Sequence, residues 1–97
     1  MATFLLLTTL STQGLQTLSA TPERLLEVNR ELEAMGAEVL QQWALLGSYD
    51  FLTVVNAADE RVVLRAAAQL AARGSAAIET LPALEIDPLV EALAADQ

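Results

Sequence analysis

Residues 37–46 and 50–56 are two apolar, strand-like runs, and between them lies the turn Leu45-Leu46-Gly47-Ser48-Tyr49-Asp50. A glycine leading a two-residue turn suits the mirror-image turns whose twist matches that of the strands they join, so the pair reads as a β-hairpin. With Gly47-Ser48 as the turn, Leu46 faces Tyr49, Ala44 faces Phe51 and Gln42 faces Thr53 on one side of the ribbon. Leu45 with Asp50, Trp43 with Leu52 and Gln41 with Val54 then share the other side. Because side chains alternate strictly along a strand, a slip of one residue would exchange the two faces.

The flanks repeat a strand–helix pattern around this hairpin. Residues 3–10 form a continuous apolar and β-branched run, the pattern of a buried strand. Ser11 to Gly14 reads as a turn cluster, and 15–20 as an irregular or single-turn stretch. Thr21-Pro22-Glu23 offers a cap, a proline at the first helical position and an early acid. Leu25, Val28, Leu32 and Met35 then follow at helical spacing, and Gly36 sits where a left-handed cap is expected. A second helix is predicted from Asp59, with Val63, Ala67 and Leu70 inward, and it stops at Gly74. A fourth strand spans 75–81 and ends on Pro82; Asp87-Pro88 begins a short helix reaching Ala95. This order predicts an α+β, ferredoxin-like sandwich (βαββαβ plus a C-terminal helix). Its four-stranded antiparallel sheet would have order 4-1-3-2, with both main helices on one face. Residues 1–97 form a single domain on this reading.

In such a sandwich the second sheet face meets solvent, and a solvated face should be polar at alternate positions. Here it is not, because Leu5 and Leu7 oppose Phe4 and Leu6, and Trp43, Leu52 and Val54 share the far side of the hairpin. With 54% apolar residues in a chain of 97, that face should be covered. Two coverings compete: a second copy, as in dimeric α/β-barrel assemblies, or the C-terminal helix through Leu89, Val90 and Leu93.

Charge and residue usage narrow the chemistry. Thirteen acids against five basic residues give a net charge of −8, and all five basic residues are arginines. No basic stripe exists to neutralise phosphates, so nucleic acid is not an expected partner. With no cysteine and no histidine, the commonest metal ligands and the usual neutral-pH base are missing, and no metal or cofactor is expected. The ladder Glu23, Glu27, Glu31 reads as a solvated helix face before a cation site. No apolar run approaches membrane-span length, and the N-terminus lacks a basic flank, so a cytoplasmic protein is expected.

The turn residues Gly47, Tyr49 and Asp50, preceded by Trp43 and Leu45, resemble the GYD-domain family of small bacterial proteins. The stretch Thr8 to Gly14, Pro22-x-Arg24 and Glu79-Thr80-Leu81 extend the resemblance over essentially the whole chain. It implies a ferredoxin-like fold and oligomers, and no established reaction.

In the predicted topology, the end of strand one, the hairpin turn and the start of strand four meet at one end of the sheet, beside the start of the first helix. Thr12, Gln13, Arg24, Trp43, Tyr49 and Asp50 are therefore the candidate ligand-binding residues, and no residue is assigned a catalytic role. Asp50 could act as a base or orient the Tyr49 phenol toward an oxyanion; alternatively it accepts backbone hydrogen bonds in the turn. Arg24 beside a helix start could bind a carboxylate or phosphate, or pair with a nearby glutamate. Trp43 could line an apolar pocket or an interface. The function expected is a non-catalytic assembly or small-ligand-sensing module that associates with itself. The alternative is a cofactor-independent enzyme of the dimeric α/β-barrel type acting on a small apolar substrate.

Overall fold

A computed structural model describes residues 1–95. Its elements in chain order are β1 (Ala2–Leu10), α1 (Thr12–Ala20), α2 (Arg24–Ala34), β2 (Glu38–Ala44), β3 (Phe51–Ala57), α3 (Glu60–Ala71), β4 (Ala76–Ala83) and α4 (Ile86–Ala94). The four strands form one antiparallel sheet in the order β2-β3-β1-β4. The described residues make an α+β protein with four helices.

Alternation along the strands decides which face carries the helices. Phe4 and Leu6 of β1 and Val55 of β3 are buried together with Leu32 of α2 and Val63, Ala66 and Leu70 of α3. The intervening residues Leu5, Leu7, Leu52 and Val54 turn to the other face and are only half-buried. The hairpin register agrees with that read from the sequence: Gln41 pairs with Val54, Gln42 with Thr53, Trp43 with Leu52 and Ala44 with Phe51. A bulge between Val39 and Gln41 inserts Leu40 and shifts the register by one residue, after which Val39 pairs with Val55 and Glu38 with Asn56.

The turn itself is looser than expected. The ladder stops at Ala44 and Phe51, and the Leu45 N–H to Asp50 carbonyl bond of 2.8 Å closes a loop over Leu46–Tyr49. Leu46 and Tyr49 are not ladder partners, and the Asp50 N–H donates to the Thr8 carbonyl of β1 at 2.8 Å. Gly47 takes φ +131°, open to glycine and strained for other residues.

The first helical region also differs from expectation. Residues 12–20 are a helix, not a turn and an irregular stretch, because the Ser11 side chain accepts from the Gly14 N–H at 3.0 Å and caps it. Thr21 accordingly ends α1 and does not cap the next helix, which runs from Arg24 after a tight turn (Arg24 N–H to Thr21 carbonyl, 3.0 Å). The second predicted start holds: Asp59 caps α3, accepting from the Arg61 and Val62 N–H groups at 2.9 and 3.3 Å. Pro82 lies inside β4, where it is tolerated because β4 is an edge strand.

The C-terminal helix does not cover the sheet. None of the α4 residues is buried, and Ile86, Leu89, Val90 and Leu93 are each more than half exposed. The second face is therefore open in the single chain, and the molecule measures 56 × 29 × 20 Å.

Candidate functional site

The sheet end at which β1 leaves the sheet gathers three segments, as the topology required. The Asp50 carboxylate accepts the Leu10 N–H at 2.7 Å, the Thr9 hydroxyl reaches the Ser48 carbonyl at 3.5 Å, and the Ser11 N–H donates to the Ser75 carbonyl at 2.9 Å. Asp50 thus fastens the loop to β1 through its main chain and one carboxylate oxygen. The Tyr49 hydroxyl donates to the Glu79 carboxylate of β4, and that acceptor pushes the phenol's pKa up.

Thr12 and Gln13 occupy the first turn of α1 and are exposed. Trp43 stands on the open face of edge strand β2, 45% exposed and paired with Leu52. Arg24 sits at the start of α2, on the helix side of the sheet, where its Nη1 reaches Glu27 at 2.8 Å and Glu31 at 3.4 Å. The six candidates therefore divide among separate places, with Trp43 and the Tyr49–Glu79 pair on the sheet's open side and Arg24 under the helices.

The topology read from the sequence also brings Arg73 to Ser75 to this end of the sheet near Arg24; the glutamate that joins the two arginines is what that reading lacked. Arg73, just beyond α3, donates to the other oxygen of Glu31, so one carboxylate bridges two guanidiniums from different parts of the chain. The hydrogen bond from Arg73, with the positive charges of Arg73 and Arg24, holds the Glu31 carboxyl below the usual glutamate range despite partial desolvation. Reciprocally, Glu31 raises the Arg73 pKa. Both arginines border a cavity of about 120 Å³ between the sheet and α1–α2, whose walls include Leu6, Leu25, Val28, Phe51 and Ile78. One side of it is polar but internally satisfied: Gln42 Nε2 donates to the buried Thr53 hydroxyl at 2.8 Å, and the Gln42 and Asn29 amides bond at 2.8 and 3.2 Å. Glu27 and Glu31 of the acidic ladder are occupied by Arg24, and among the described residues no three potential metal ligands converge. Also among the described residues, no helix is long and apolar enough to cross a membrane.

The open sheet face is the larger feature. Strand pairing lines up two rows across it, Gln41–Val54–Leu5–Leu81 and Trp43–Leu52–Leu7–Glu79. Six adjacent apolar side chains therefore form one patch, bounded by the Tyr49–Glu79 pair at one end and by Thr3 and Asn56, which bond at 3.0 Å, at the other. Nothing in this arrangement resembles a nucleophile with its base.

Comparison with known proteins agrees with the loop residues that first drew attention. The "Glutamine synthetase and cystathionine beta-lyase binding protein" of Thermus thermophilus is 47% identical over 94 residues, spanning 96% of this chain and 99% of that protein. The GYD domain description matches residues 4–93, from the core Phe4 of β1 to the exposed Leu93 of α4. The chain belongs to the GYD-domain family.

Proposed function

We propose that this chain is a non-catalytic assembly module of ferredoxin-like architecture whose open sheet face docks a second copy, and whose assembled form binds other proteins. The observation that carries this reading is the uncovered patch of Leu5, Leu7, Trp43, Leu52, Val54 and Leu81. Its size fits the reading. A compact chain of this mass exposes roughly 5,400 Å², whereas this one exposes 6561 Å². The excess, on the order of 1,100 Å² over the whole chain, is more than the ~800 Å² each partner contributes to a standard interface.

The relative's name supplies the class of partner to try first. Glutamine synthetase and cystathionine beta-lyase are named as what that protein binds, and 47% identity over nearly the full length of both chains makes similar enzymes the leading candidates here. The test combines two measurements on the wild type and on a Trp43→Ser/Leu81→Ser variant, whose substituted side chains are both substantially exposed. Light scattering after size exclusion should give a dimer or larger for the wild type and a smaller species for the variant. Biosensor binding to the two purified enzymes should be measurable for the wild type. A wild-type monomer at micromolar concentration would overturn the self-docking. Absence of binding to either enzyme would overturn the choice of partner.

A further inference from the structure

We propose that the cavity between the sheet and α1–α2 binds a small organic carboxylate, with its carboxylate on Arg24 and Arg73 and an apolar body of about five or six carbons against the sheet. The volume sets the size of the body. At about 120 Å³ the cavity is slightly smaller than the apolar cavity of ~150 Å³ that stays dry and accepts benzene in a well-studied engineered protein. Its floor is aliphatic and aromatic, with Leu6, Val28, Leu32, Phe51 and Ile78 among the walls. The polar wall does not ask for a polar ligand body, because Thr53, Gln42 and Asn29 already satisfy one another.

The charge at the rim decides the head group. Arg24 and Arg73 line the cavity, whereas neither Glu27 nor Glu31 is part of its wall. Each guanidinium presents five N–H donors. In its ion pairs among the described residues, Arg24 uses only Nη1 and Arg73 only Nη2. Donors therefore remain on both side chains, which the shared Glu31 ties to one another. A planar carboxylate matches such donors two at a time, whereas a neutral alcohol cannot. Glu31 is both the anchor of the two arginines and the competitor for their charge.

The test is an amide NMR titration of the full chain with hexanoate and benzoate, and with hexanol and benzyl alcohol as neutral counterparts. The carboxylates should saturate, moving the signals of Val28, Leu32 and Ile78, and should bind about tenfold or more tightly than the alcohols. Arg73→Gln should weaken the carboxylates by about tenfold and leave the alcohols unchanged. Glu31→Gln removes the competing charge and should tighten carboxylate binding several-fold; a purely structural part for the bridge would make it weaken instead. The proposal is overturned if neither carboxylate moves these signals, if acid and alcohol bind alike, or if Glu31→Gln weakens the carboxylates as much as Arg73→Gln does.

Discussion

Gly14 is where α1 comes closest to the sheet end, and Gly14→Ala should be distinctly destabilising although alanine is the better helix former. A Cβ at this position would lie 2.2 Å from the Ser75 carbonyl oxygen, where ordinary contact begins at 3.4 Å. The two segments must therefore separate by about 1.2 Å. That oxygen also accepts the Ser11 N–H at 2.9 Å, and a movement of this size takes the bond out of range. Overpacking against backbone costs about 1–3 kcal/mol and the lost hydrogen bond about 1 kcal/mol, while the gain in helix propensity returns about 1 kcal/mol. The net is a loss of about 2 kcal/mol, which in a domain of this size lowers the melting temperature by roughly 8–16 °C. Differential scanning calorimetry reads it directly. A variant that melts at or above the wild-type temperature would refute the close approach, and with it the position of α1 that forms one wall of the cavity.

Two further outcomes concern the loop. Asp50→Ala removes the acceptor of the Leu10 N–H (2.7 Å) and should cost about 1.5–3 kcal/mol in denaturant unfolding, while Asp50→Asn, which keeps an acceptor oxygen, should cost less; equal stability of all three proteins would contradict the fastening role. Tyr49 is the only tyrosine, so its ionisation can be followed by tyrosinate absorbance. The Glu79 carboxylate raises the phenol's folded pKa above its unfolded value near 10, so the pair's stabilisation is complete below that pH and is lost as pH rises through the folded pKa. Glu79→Gln should move the titration midpoint back toward the free phenol, and an unchanged midpoint would mean that the hydrogen bond does not form in solution.

The parts of this fold that were legible in the sequence were those governed by short-range alternation and by caps. The β2–β3 register followed from where Gly47 falls between two alternating runs, and the start of α3 from Asp59 ahead of an alanine-rich stretch. Helix α1 was missed because Gln13-Gly14 reads as turn chemistry, whereas Gly14 is there for a close approach to Ser75 that only three-dimensional structure reveals. The informative signal was Ser11 three residues before Gly14, a cap followed by Leu15 and Leu18 at helical spacing. Of the candidate site, Arg24 was legible from its place at a helix start, but its convergence with Arg73 on Glu31 joins residues 42 apart in the chain. The exposure of α4 was equally hidden, since its apolar residues suit a helix folded onto the sheet as well as one waiting for a partner.

Trp43 is the only tryptophan and stands on the open sheet face, so its environment reports most directly on whether that face is covered. Its emission and its quenching by acrylamide should be measured across a dilution series, alongside solution mass. Coverage by a second copy requires a blue-shifted, protected tryptophan in the associated protein, becoming exposed as dilution yields monomer. A Trp43 that stays as accessible in the associated state as in the monomer would place the contact elsewhere and contradict the account.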